Sequence, residues 1–307
     1  MSEALPNVAV VVNEVTGNRL PGRHLGSRLP GNGWDEMRRL VLAQAPQLRA
    51  PLPGMPGLCA VCRGPAGRGS VRCFQCDLQR QCAGSGLADL VVPIAFAAKG
   101  SPHAKRLWQY KSISTPLIQV LDGAATAGDA GAAGRAARAI EAGPLLLALL
   151  LGFLRDHGRC GWREAGLTWP PTHLAVVPSA RGRPGAHPLR ALIGPYLSCR
   201  WAELCARADY HQARELDPDR FQAGPVPGGR ILLLDDTWTT GASAQSAAMA
   251  LRRAGASSIA TVVLGRHINP EFESIWSPGP RPPHAFSIEG MPFLTGSCAV
   301  HSDDAVS

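Results

Sequence analysis

The chain has 307 residues, 45% of them hydrophobic, with a formal net charge of +8. That is enough for one large domain or two smaller ones with a sizeable core, while 34 glycines and 27 prolines imply long irregular segments beside it. The charge favours anionic partners, phosphate or nucleic acid, but the arginines are scattered, so a basic tract that follows a DNA backbone is excluded.

The amino terminus lacks a basic region followed by an apolar core. The one long apolar run, 144–154, is too short for a bilayer, which needs about twenty residues. A cytoplasmic protein without a membrane span is expected. In such a compartment nine cysteines point to metal or free thiols rather than disulfides.

Taken in order, Val8–Val12 suggests a short strand and Gly17–Asn32 a loop. Trp34–Leu48 has Met37, Leu40, Val41 and Leu48 at near-helical spacing, either a short amphipathic helix or an arm that orders on contact. After a Pro/Gly linker come Cys59-x2-Cys62 and Cys73-x2-Cys76, with ten residues between the pairs. Four thiolates so spaced suit a tetrahedral zinc ion, and Gly64, Pro65, Gly67 and Gly69 build the turn between them. With every position filled by protein the role is structural. Cys82, six residues beyond Cys76, leaves the ligand set open to question.

Val91–Ala98 reads as the first strand of a new domain, followed by the basic, aromatic segment His103–Ser114 with Leu107, Trp108, Tyr110 and Lys111. Its plainer reading is a solvated helix with one buried aromatic face. Thr126–Gly143, rich in Ala and Gly, suggests an insertion or a weak helix; Pro144–His157 suggests a buried helix that Pro144 starts and Gly158 stops. His173–Pro178 is a short apolar strand. The loop after it, with Ser179, Arg181 and Arg183 and with His187 just beyond, suits a polyanion at a strand's carboxyl end. Ala191–Ala206 is a helix candidate through Leu192, Ile193, Leu197, Trp201 and Leu204, with Cys199 and Cys205 as core thiols. The polar stretch Asp209–Gly229 holds Arg214, Arg220 and Phe221, which on a plain reading are surface residues.

The most informative stretch is Ile231–Ser243, ILLLDDTWTTGAS. Its unbroken apolar start reads as a buried parallel strand. Ala244–Ala254 follows as a helix and Ser257–Leu264 as a second strand, so the loop between sits where open α/β sheets bind ligands. Amides of Thr239 to Ser243 at a helix N-terminus suit a phosphate; Thr239, Thr240 and Ser243 add hydroxyls, and Gly241 permits close approach. Asp235 and Asp236 would repel that phosphate, so they suit sugar hydroxyls, a hard cation such as Mg²⁺, or both. The set asks for a phosphorylated sugar carrying a metal.

This stretch resembles the phosphoribosyl pyrophosphate (PRPP) motif of type I phosphoribosyltransferases. The match runs through Asp235-Asp236, Thr237, Thr239-Thr240-Gly241 and Ala242-Ser243. With the paired cysteines ahead of it, Tyr110-Lys111 and the strand end Val177-Pro178, the order of motifs resembles the competence protein F (ComF) family over roughly residues 57 to 268. The resemblance implies an α/β fold of the type I phosphoribosyltransferase kind, a parallel sheet flanked by helices, with a small amino-terminal zinc-binding module. The implied division is an arm and linker (1–56), a zinc knuckle (57–90), a phosphoribosyltransferase domain (91–270) and an irregular tail (271–307).

It also implies roles: Asp235 and Asp236 catalytic, Thr237 and Thr239 to Ser243 on PRPP, and Ser179, Ala180 and Arg181 matching the pyrophosphate loop by position. The implied cofactors are Mg²⁺ with PRPP and structural Zn²⁺, and the resemblance also implies a mobile flap over the site, for which Arg214, Arg220 and Phe221 are the candidates. The implied reaction transfers phosphoribosyl to an unidentified nitrogenous base. A DNA-uptake accessory protein meeting single-stranded DNA or the competence machinery, and a non-catalytic PRPP sensor, are the alternatives; a homodimer is a further candidate. Where the family carries an Arg-Gly-Phe-Asn-Gln-like run after the Val-Pro strand, this chain has SARGRPGAHPLRAL.

Overall fold

A computed structural model describes residues 33–51, 55, 57–66, 69–112, 130–168, 170–179, 187–197, 199–207, 215–269 and 293. The possible strand at Val8–Val12 and most of the tail lie outside these residues.

The protein is α/β, with a parallel central sheet flanked by helices. Its strands are β1 (Leu90–Pro93), β2 (Phe96–Ala98), β3 (His173–Val176), β4 (Arg200–Trp201), β7 (Arg230–Trp238) and β8 (Ser258–Ile268). They run β1-β8-β7-β3-β4, and β2 also lies beside β8; every pairing is parallel. A two-stranded antiparallel ribbon joins β5 (Leu204–Ala206) to β6 (Phe221–Ala223).

The unbroken apolar runs follow from cover on both faces of the sheet. Leu174, Val176, Leu232, Leu234, Val262 and Leu264 enter one core; Ala175, Val177, Ile231, Leu233, Ile259 and Val263 enter the other. The first core is closed by α1 (Gly33–Gln44), α3 (Pro102–Gln109) and α4 (Ala130–Glu164). The second is closed by α6 (Ala242–Arg253) and by the cysteine-rich segment with its helix α2 (Phe74–Ala83). At about 1.5–3 kcal/mol per fully buried aliphatic side chain, burial on both faces anchors the two central strands, β7 and β8.

The segment before the linker is a helix in place: Met37 is buried and the Arg155 guanidinium lies 4.5 Å from the Trp34 ring centroid, tying α1 to α4. Several elements differ from the sequence reading. Pro144 lies inside α4 rather than at its start, and Gly158 does not stop it. An interior proline costs about 3 kcal/mol. The leucines at 145, 146, 147, 149, 150 and 151 are all 5% exposed or less, so their burial exceeds that cost several times.

The helix expected over Ala191–Ala206 is only α5 (Pro188–Ile193) and a 3₁₀ turn, Gly194–Tyr196; Pro195 stops it and the chain continues into β4 and β5. Cys205 is consequently exposed rather than a core thiol, and Cys199 is half-buried. Val91–Ala98 is two short strands rather than one. Arg220 and Phe221 are each 1% exposed, with the guanidinium 5.1 Å from the neighbouring ring, so they are core residues and not a lid; Arg214 lies outside the described residues.

No helix among the described residues is long and apolar enough to cross a membrane.

Candidate functional site

The strand order fixes one crevice. From β3 the chain moves outward to β4; from β7 it moves the opposite way, through α6 to β8. The carboxyl ends of β3 and β7 thus flank the topological switch point, where ligands enter open α/β sheets. Val177 N–H bonds Leu234 O at 2.9 Å, which brings the half-buried Ser179 to the crevice beside the end of β7. Ala180 and Arg181, the rest of the expected pyrophosphate loop, lie outside the described residues, as does Arg183. His187 acts locally, since its Nδ1 accepts from the Leu189 amide at 3.2 Å and caps α5.

β7 continues as strand through both carboxylates to Trp238. The pleat therefore sends Asp235 and Asp236 to opposite faces. Asp236 is 6% exposed and shares its face with Tyr110, which is fully buried. Tyr110 Oη donates to Asp236 Oδ2, and Lys111 Nζ lies 2.7 Å from Asp236 Oδ1. Burial alone would raise the Asp236 pKa, but the Lys111 charge and the bonds from Lys111, Tyr110 and Thr237 outweigh it and hold it below the ordinary value. Asp235 is pushed the other way, up to about 7, by burial and by the charge of Asp236. One carboxylate is thus fixed as an anion and its neighbour titrates near neutrality.

Beyond Trp238 the loop turns at Gly241, whose φ is +83°. A Cβ there would also lie 2.1 Å from Trp238 Cζ2, so only glycine fits. Three successive carbonyls are held from one side: Arg266 Nη1 donates to Trp238 O and Thr239 O at 3.3 and 3.1 Å, and Gln79 Nε2 donates to Thr240 O at 2.9 Å. The first backbone amide to bond back along α6 is Gln245, to Gly241 O, while Ala242 N–H turns to Thr240 Oγ1. The first turn of α6 carries no acidic residue. Its amides and positive dipole end suit an anion. Thr239 is exposed; Thr237, Thr240 and Ser243 are half-buried; Gly241 and Ala242 are buried.

The other centre is the cysteine cluster. The sulfurs of Cys59, Cys62, Cys73 and Cys76 all lie within 4.8 Å of one another, with Cys62 and Cys73 3.7 Å apart. A tetrahedral zinc ion with Zn–S near 2.3 Å needs sulfurs about 3.8 Å apart, so the set fits a structural zinc. The first pair sits in a tight turn, with Cys59 N–H on Gly64 O and the left-handed Arg63 N–H on Cys59 O. The second pair starts α2, where Cys73 is the N-cap, and a helix N-terminus favours thiolate. Hydrogen bonds among the four sulfurs split them: Cys59 and Cys62 are drawn below the ordinary thiol range, while the bonds to Cys59 and Cys62, with burial, push Cys73 and Cys76 above it. Cys82 is exposed and lies outside the cluster.

Nothing in a single sequence pairs Tyr110 and Lys111 with an aspartate more than 120 positions away, or Gln79 and Arg266 with the loop. The basic aromatic segment is visible in the chain; its destination is not. Of Lys105, Arg106 and Lys111, the cations on which the single-stranded DNA reading depends, Arg106 bonds Gln44 and Gln47, Lys111 binds Asp236, and Lys105 is exposed.

No protein-family model, curated protein or solved structure gives a significant match to this chain. Fold and site together define an α/β protein with a loop suited to anions at its switch point and a four-cysteine cluster suited to zinc.

Proposed function

We propose that this chain is a PRPP-binding protein of the type I phosphoribosyltransferase kind, similar to the ComF family, and that it transfers phosphoribosyl to a nitrogenous base. The observation that carries the reading is the loop at the switch point. Carbonyls 238–240 are drawn to one side, towards Gln79 and Arg266, beside a carboxylate pair of split character.

In this reading Thr239 to Ser243 hold the 5′-phosphate through amides and hydroxyls, which fixes the sugar. Asp235 and Asp236 lie at the ribose hydroxyls, where negative charge favours the positive sugar that forms as its bond to pyrophosphate loosens. A nitrogen of the base bonds to the anomeric carbon, the carbon–oxygen bond to pyrophosphate breaks, and the nitrogen loses its proton. Ser179, with Ala180 and Arg181, takes the pyrophosphate end. Mg²⁺, when bound with PRPP, neutralises phosphate charge. Asp236 is already engaged by Tyr110 and Lys111, so Asp235 is the carboxylate a cation meets first. Those engagements, with that of Arg106, count against the single-stranded DNA reading.

Calorimetry with Mg²⁺–PRPP tests the proposal. The wild-type chain binds, and Gly241→Asp or the pair Asp235→Asn with Asp236→Asn abolishes binding; unchanged binding in these variants would overturn it. Pyrophosphate release across a panel of bases then separates a transferase from a PRPP sensor.

A further inference from the structure

The cysteine cluster is joined to the loop by three independent contacts. Gln79 lies three residues past Cys76 on the same face of α2; it is 4% exposed, and its amide ends on Thr240 O. Arg266, at the end of β8, is 5% exposed. It lies against Gly64 so closely that a Cβ there would be 2.2 Å from Nη2, while its Nη1 reaches Trp238 O and Thr239 O. After α2, Ala88 N–H bonds the side chain of Gln245, which is 2% exposed in the first turns of α6.

In a trans peptide the carbonyl of one residue and the N–H of the next point in opposite directions. Holding the carbonyls of Trp238, Thr239 and Thr240 towards Arg266 and Gln79 therefore turns the N–H groups of Thr239, Thr240 and Gly241 away from those two side chains. The orientation of the anion-binding edge is set from behind, by residues of the knuckle and of β8. A turn this small has no core of its own and depends on metal for its shape.

We infer that Gln79 is a positioning residue, and that metal in the four-cysteine cluster and the readiness of the Trp238–Gly241 loop to take an anion are one linked equilibrium. Metal holds the start of α2, α2 holds Gln79, and Gln79 holds the Thr240 peptide. Linkage of this kind is reciprocal: whatever factor the metal adds to ligand affinity, the ligand adds to metal affinity. The ligand half of the inference rests on the proposed PRPP site; the loop half does not.

The test uses the full chain loaded with zinc and the variant Gln79→Met, which keeps length and packing but loses the donor. Zinc content by mass spectrometry is expected to match wild type. Without any ligand, amide hydrogen exchange of a peptide spanning 237–246 speeds about tenfold in the variant, while peptides in β7 and β8 stay protected. Mg²⁺–PRPP affinity falls by a similar factor. Gln81→Ala, on the exposed side of α2, changes neither. In wild type, saturating Mg²⁺–PRPP slows zinc loss to a zinc-selective chelator, and in Gln79→Met it does not.

Loop exchange equal to wild type in Gln79→Met overturns the inference, as does zinc loss in the wild type that ignores bound PRPP. Faster loop exchange in a chain that binds no PRPP sustains the linkage and overturns the PRPP reading alone. If Gln79→Met loses zinc, Gln79→Glu, nearly isosteric but without the amide donor, carries the same comparison.

Discussion

Asp235 and Asp236 share a peptide bond but not a solvent, and that difference has a pH signature. Because the Asp235 pKa is raised to about 7, folding favours its protonated form. The stability this group contributes is present below its unfolded value near 4 and is lost as pH rises through about 7. A ligand that needs the anion must displace a proton below pH 7. On the proposed function, Mg²⁺–PRPP affinity by calorimetry is expected to weaken about tenfold per pH unit below 7, and Asp235→Asn to remove that slope. Its neighbour behaves differently. Tyr110→Phe removes a donor from a buried carboxylate and is expected to cost about 1–3 kcal/mol in urea unfolding.

At the scale of elements, what was legible depended on how strongly one period dominated. β7, α6 and β8 announce themselves because an unbroken apolar run, an alanine-rich helix and a second β-branched run follow without ambiguity. The stretch 191–206 misleads because its apolar residues satisfy a helical period while the strands that form, two and three residues long, are too short to show a period of two. α4 misleads through its proline, read as punctuation when burial of the leucines overrides it. Pro144→Ala is expected to stabilise the fold by up to about 3 kcal/mol, read as a higher thermal midpoint with unchanged helical circular dichroism. In the candidate site, the residues of the loop are local and so can be read from the chain; Tyr110, Lys111, Gln79 and Arg266 arrive from other elements, and no spacing rule connects them.

At the scale of the molecule, two cores on opposite faces of one sheet support different halves of the site: one buttresses Asp236, the other the loop. The first core also sets an acid limit. His103 is buried there, its Nε2–H donating to Leu264 O, and its Nδ1 has no hydrogen-bond partner among the described residues. Desolvation lowers its pKa to about 4, so the unfolded chain binds a proton that the folded chain refuses. Stability is complete above about 6.5 and is lost as pH falls towards 4; His103→Gln is expected to flatten that part of a denaturation-versus-pH curve.

The contact between Gln79 and Thr240 joins residues 161 positions apart. On a ribosome adding about 5–20 residues per second, the knuckle emerges about 8–32 s before the loop it holds. On the linkage inferred above, a metal would meet a segment whose client does not yet exist, and the loop would fold against a template already set or already missing. Zinc withdrawn during synthesis and zinc withdrawn afterwards leave different populations of chains, distinguishable by pulse-labelling nascent protein on either side of the withdrawal and measuring loop protection in each cohort.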